Sequence, residues 1–169
     1  MTALPLHLTT RSAEETREVG AKIGRDLTPG DLLALTGDLG AGKTCLTQGI
    51  ARGMAVPEDS YVRSPTFVIL NIYEGRCPLY HMDLYRIQDP VELEDLGYRD
   101  YFFGEGVSVI EWAEKSRELL PADHLRIRMH LRGENRREIV LDARGDRFRE
   151  RLAVWVGTLA RFVTEPALR

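Results

Sequence analysis

Eight consecutive residues, Gly37-Asp-Leu-Gly-Ala-Gly-Lys43-Thr44, carry the parts needed to hold a polyphosphate. Glycines in such a run let the backbone turn its N–H groups inward and approach phosphate oxygens closely. A lysine in this position is a point charge suited to bridging β- and γ-phosphates, and the hydroxyl after it is a ligand for Mg²⁺. The order and spacing are those of the Walker A motif. Leu39, Gly40, Ala41, Gly42, Lys43, Thr44 and Cys45 are therefore the expected nucleotide contacts, with Mg²⁺ as the accompanying ion. A guanine-reading site would need an Asn-Lys-x-Asp segment, and the chain has none, which leaves ATP as the expected nucleotide.

Such a site also needs an acid for the metal at the end of an apolar strand. Two residues qualify: Asp83 closes the run Leu79–Met82, and Glu111 closes Val107–Ile110. The second run is the more uniformly apolar, which suits a central place beside the strand that enters the glycine loop. Glu111 is thus the expected acid for the metal or its water shell, with Asp83 close by. Between loop and acids lies Ser64-Pro-Thr66. Pro65 drives Ser64 out of the helical region and stiffens the segment. A hydroxyl such as that of Thr66 on such a loop is able to follow the γ-phosphate and Mg²⁺.

The elements that must position these groups follow from periodicity and punctuation. Thr10–Leu27 reads as an amphipathic helix, with Ser12 and Glu15 spaced as a capping box. Asp31–Thr36 is a short buried strand feeding the glycine loop, and Lys43 to about Arg52 is the helix that follows. Val68–Tyr73 and Pro78–Met82 read as antiparallel strands meeting at Glu74-Gly75. Asp89–Phe103 reads as one helix with Pro90 in its first turn, and Gly106–Ile110 as a strand. Leu125–Leu131 alternates strictly, and Glu138–Ala143 is its expected partner across the Gly133-Glu134-Asn135 turn. Phe148, Leu152, Trp155, Val156 and Leu159 form the core stripe of a last helix.

Taken together, Gly37–Thr44, Ser64-Pro-Thr-Phe67, His81-Met-Asp-Leu-Tyr-Arg86 and Ile110-Glu-Trp112 resemble, in order and spacing, the TsaE (formerly YjeE) family. The likeness runs from about Thr10 to Pro121. It implies an α/β fold: a P-loop NTPase-like mixed sheet flanked by helices, with a C-terminal β-hairpin and helix. It further implies an ATPase, slow alone, that supports turnover of the tRNA N6-threonylcarbamoyladenosine (position 37) machinery together with the TsaB and TsaD proteins. Contact with tRNA would be indirect, through that complex. On the resemblance, Lys43, Asp83, Glu111 and Thr66 are the catalytic set and Thr44 and Glu111 the metal set. Trp112 matches the tryptophan after the acid, and Cys45 stands where a threonine is common.

The bulk properties fit this reading. A chain of 169 residues, expected to form one domain over residues 1–169, is long enough for a buried core. A net charge of −3 rules out a general nucleic-acid polycation. No apolar stretch approaches a membrane span, and Thr9, Thr10, Arg11 and Glu14 stand where an export signal would be apolar, so the expected location is the cytoplasm. Two other functions fit a P-loop: a small-molecule kinase and a nucleotide switch that does not hydrolyse. The kinase would use an arginine-bearing lid. Arg126, Arg128 and Arg132 instead alternate with Leu125, Ile127, Met129 and Leu131, the pattern of an amphipathic strand at a salt-bridged sheet edge, with a tRNA or partner surface as the second reading.

Overall fold

The computed structural model describes residues 4–165, so the first three and last four residues of the expected domain lie outside the described region. Strands β1 (Leu6–Thr10), β2 (Leu32–Thr36), β3 (Leu70–Glu74), β4 (Pro78–Asp83), β5 (Val107–Glu111), β6 (His124–Leu131) and β7 (Arg137–Arg144) form one sheet in the order β1-β7-β6-β2-β5-β4-β3. The four central strands β6, β2, β5 and β4 run parallel; on one side β7 runs antiparallel to β6 and β1 antiparallel to β7, and on the other β3 runs antiparallel to β4. The α/β mixed sheet with its C-terminal hairpin and helix is the architecture expected from the sequence. Among the described residues no helix is long and apolar enough to cross a membrane.

Alternation along the central strands sorts side chains between two cores. Leu33, Leu35, Val107, Val109, Leu125 and Ile127 face a layer made by α1 (Ala13–Asp26), α2 (Lys43–Gly53) and α5 (Asp146–Thr158). Leu32, Ala34, Met82 and Ile110 face the opposite layer, which contains the short helices α3 (Val91–Asp95) and α4 (Arg99–Phe102). The same parity puts His81, Asp83 and Glu111 on the α2 side, and the parallel register sets Asp83 directly beside Glu111.

Helix α2 is held unusually close to α1. A methyl group on Gly24 would lie 2.3 Å from the Ile50 carbonyl oxygen, and one on Gly49 would lie 2.1 Å from that of Arg17. Backbone therefore packs directly on backbone. At the far end the Arg76 guanidinium donates to the carbonyls of Gly24 (2.7 Å), Leu27 (2.6 Å) and Gly53 (3.0 Å). One cation thus satisfies the C-terminal carbonyls of both helices, where the helix dipole favours positive charge.

Several elements differ from the sequence expectation. Strand β1 was not expected, and the first helix starts at Ala13 rather than Thr10. Only Leu6 and Leu8 are apolar in β1, and its pairing partner, β7, is far away in sequence. Ser12 does cap α1, accepting from Glu15 N at 3.1 Å, but the returning Glu15 carboxylate takes the N–H of Arg11 (2.7 Å). Strand β3 begins at Leu70 because Ile69 has φ 69°, a conformation that a β-branched residue adopts only under constraint. The helix expected over Asp89–Phe103 is two short ones, interrupted at Gly97 (φ 72°). The arginine-bearing β6 is not at a sheet edge: β2 and β7 flank it, and β1 lies beyond. Its pairing is as expected, with Arg126 bound to Asp142 and Arg132 to Glu138 (2.7 Å).

Candidate functional site

The glycine loop leaves β2 at the C-terminal end of the parallel strands and enters α2, an end of such sheets where ligands bind. Gly37, at φ 150°, lies so close to β6 that an added Cβ would be 2.5 Å from the Met129 carbonyl oxygen, which presses the loop onto the sheet. Helix α2 has Gly42 as its N-cap, with no side chain bonded to its first turn. Its leading N–H groups, and the positive end of its dipole, therefore face the loop.

A cavity of about 340 Å³ opens at this point, lined by Leu39, Gly40, Gly42, Lys43, Thr44, Cys45, Ser64, Thr66, Asp83, Tyr85, Glu111 and Trp112. Residues from four separate segments thus converge. A larger cavity, about 640 Å³, lies along α1 and α2 between Arg17, Gln48, Arg52, Tyr61 and Arg63, but it touches neither the glycine loop nor either strand-end acid. The smaller one gathers the residues expected to carry the chemistry. Of the expected nucleotide contacts only Ala41 is not in its wall: its side chain is buried in the core and its N–H is spent on the Asp38 carbonyl (3.0 Å). Leu39, at 81% exposure, stands at the rim.

Lys43 is almost wholly buried, and its ammonium donates to the carbonyls of Gly37 and, at 3.1 Å, Asp38. It also sits 4.1 Å from the centre of the Trp112 ring. Burial pushes its pKa below the ordinary lysine range, against the opposing pull of Glu111, Glu114, Asp83 and Asp38. Thr44 Oγ1 faces both oxygens of Glu111 at 2.9 and 3.1 Å. The carboxylate of Asp83 accepts from Ser64 Oγ, from Thr66 Oγ1 (3.1 Å) and from the Tyr85 N–H (2.9 Å). Asp83 therefore ties the Ser64-Pro65-Thr66 loop to the strand ends. Trp112, next after Glu111, has φ 56° and packs against Tyr85 with ring centres 5.0 Å apart. Cys45 donates from its thiol to the Ala13 carbonyl (3.2 Å), and burial raises its pKa.

Lys43, Thr44, Thr66, Asp83 and Glu111 thus line one small volume. Neither Asp83 nor Glu111 has an ion pair with a lysine or arginine among the described residues, so two adjacent acids are left with neutral or histidine donors. Two carboxylates and a hydroxyl are hard oxygen donors of the kind Mg²⁺ takes, too few to enclose it and matched to an ion that keeps phosphate and water ligands. No cluster of three or more His, Cys, Asp or Glu side chains able to cage a metal occurs among the described residues.

His81 was not singled out in the sequence for any role. It is fully buried, and its Nε2 lies 2.8 Å from Glu111 Oε1. Its signal was available: it stands two residues before Asp83, hence on the same face of the strand. Arg86, which closes the His81–Arg86 motif, stacks over Phe67 at 5.0 Å.

Comparison with known proteins agrees with this geometry. Residues 10–139 match the family model described as threonylcarbamoyl adenosine biosynthesis protein TsaE. The chain is 45% identical over 140 residues to the tRNA threonylcarbamoyladenosine biosynthesis protein TsaE of Bacillus subtilis, covering 82% of this chain and 86% of that protein. It is 39% identical over 132 residues to the TsaE protein of Treponema pallidum, covering 78% and 96%. The crystal structure of Bacillus subtilis YdiB superimposes with a TM-score of 0.74 at 36% identity, over 95% of this chain and 97% of that one. With the glycine loop, both strand-end acids and the Ser-Pro-Thr segment all inside the matched region, this chain belongs to the TsaE family.

Proposed function

We propose that this protein binds ATP with Mg²⁺ in the cavity beside Lys43 and hydrolyses it in support of tRNA threonylcarbamoyladenosine biosynthesis, working with TsaB and TsaD partners in the cytoplasm. The observation that carries the reading is the convergence of Lys43, Thr44, Asp83 and Glu111 at the C-terminal end of β2, β5 and β4. The place in tRNA modification rests on the names of the relatives.

The open N–H groups at the start of α2 hold the phosphates, and Lys43 exchanges its carbonyl partners for β- and γ-phosphate oxygens. Magnesium, where bound, neutralises phosphate charge and orients the terminal group for in-line attack. Thr44 and Glu111 are placed to hold it. The Glu111 carboxylate, with lone pairs to spare, orients the attacking water and accepts its proton. Thr66, bound to Asp83, carries the state of the phosphate end outward to the exposed Phe67 and Val68. A partner that orders this loop would complete the site, which links nucleotide state to assembly.

The test is phosphate release from Mg²⁺–ATP, measured alone and then with TsaB–TsaD titrated in, with Thr66→Ala in parallel. Turnover is expected to be weak alone and to rise with partners, and the substitution should blunt the rise. Full turnover without partners, with Thr66→Ala unaffected, would remove the coupling; no turnover under either condition would remove the ATPase.

A further inference from the structure

His81 is a buried polar group that the site described above does not yet use. Its Nε2 lies 2.8 Å from Glu111 Oε1, and a carboxylate only accepts, so Nε2 carries the hydrogen. Nδ1 is buried and has no hydrogen-bond partner. Leu79, His81 and Asp83 alternate along β4 on the α2 side, and Tyr73 of β3 lies against the ring, with centres 6.5 Å apart. The imidazole therefore has a fixed place one strand over from the acid.

The consequence falls on the two oxygens of Glu111. Oε1 receives His81 Nε2 as well as Thr44 Oγ1 at 2.9 Å, while Oε2 has only the longer Thr44 contact at 3.1 Å. We propose that His81 is a positioning residue that pins Glu111 by Oε1 and so presents Oε2 to the metal and water at the terminal phosphate. The proposal rests on reading the cavity as a nucleotide site. A partner of this kind behind a ligating group fixes its orientation, and losing it typically lowers metal affinity or activity about 10- to 100-fold.

Side-chain length supplies the discriminating variants. The amide nitrogen of His81→Gln reaches the place of Nε2, that of His81→Asn only the place of Nδ1, and His81→Phe fills the space with no donor. Mn²⁺ affinity in the presence of ADP, read by electron paramagnetic resonance, is expected to fall about 10-fold or more in the Asn and Phe variants and to be largely restored in Gln. ADP affinity in excess chelator should stay at the wild-type value in all three. Nitrogen-15 spectra of the unsubstituted chain should show a hydrogen on His81 Nε2, a readout that needs no variant to fold. The proposal is overturned by an Nε2 that carries no hydrogen, by wild-type Mn²⁺ affinity in a folded Phe variant, or by Gln and Phe losing chelator-insensitive ADP binding and melting temperature together. A wild-type chain that binds no Mn²⁺–ADP would instead remove the nucleotide reading beneath it, and is told apart by the unsubstituted protein failing first.

Discussion

Two buried acid sites at opposite ends of the central strands are treated in opposite ways. Asp31, just before β2, is wholly buried, and its carboxylate meets Arg147 Nε at 2.8 Å, the Arg151 guanidinium and the Thr28 N–H at 2.7 Å. Its charge is matched by permanent cations that also fasten α5 to the sheet. Asp83 and Glu111, at the other end, are equally buried but face hydroxyls, one backbone N–H and a histidine. A buried acid with arginines closed around it has no use for a further cation. Two side by side with no lysine or arginine paired to them among the described residues leave room for one. The contrast marks Asp31 as a structural carboxylate and Asp83 with Glu111 as the pair proposed to function, without reference to any relative.

Removing the matched acid should have the largest effect. Asp31→Ala removes the shared partner of Arg147 and Arg151 and the acceptor of the Thr28 N–H at once, and it should cost about 3 kcal/mol of stability in denaturant unfolding. Hydrolysis per folded molecule should be unchanged. Glu111→Gln reverses the pattern: turnover should fall about 100-fold, with stability shifted by less than about 1 kcal/mol. Were Glu111→Gln to unfold the protein while Asp31→Ala silenced turnover, the distinction would have the wrong sign. Mg²⁺–ATP at ten times its Kd should add about 1.4 kcal/mol to the unfolding free energy of the wild type, and the Mg²⁺-dependent part of that gain should vanish in Glu111→Gln.

The smallest effect lies away from both acids. Burial, assisted by Arg144 and Arg126, lowers the pKa of His124 against the opposing hydrogen bond to the Pro121 carbonyl. A histidine whose folded pKa is depressed is protonated more readily when unfolded, so its contribution is lost as pH falls below the ordinary range of about 6.5. The wild type should lose a fraction of a kcal/mol more than His124→Gln between about pH 7 and pH 5.5 in paired unfolding curves. An identical slope would show that the ring is solvated like any other.

The site was more legible than its supports, for reasons of range. The glycine loop is a contiguous signal, and Asp83 and Glu111 end apolar runs whose parity decides their face. His81 escaped notice because a lone histidine in an apolar strand looks like core until the neighbouring strand is placed. Strand β1 carries two leucines and gains its meaning only by pairing with β7, more than a hundred residues later. Arg76 looks like a surface charge in a turn, and nothing local reveals that three carbonyls from two helices meet it. The glycines at 20 and 24 in α1 and at 49 and 53 in α2 repeat at a four-residue spacing, a signal of close helix contact that was there to be read.

That glycine contact also governs how motion would spread. Where helices meet through side chains, rotamers absorb small displacements before they reach the neighbour; where carbonyl rests on Cα, there is no such cushion. A tenth-of-an-ångström class of movement at the N-terminal end of α2 would pass undamped into α1, and the Arg76 clasp at the far end keeps the two from sliding apart. The pair therefore behaves as a stiff lever rather than as two struts, with the exposed outer face of α1 as its far arm.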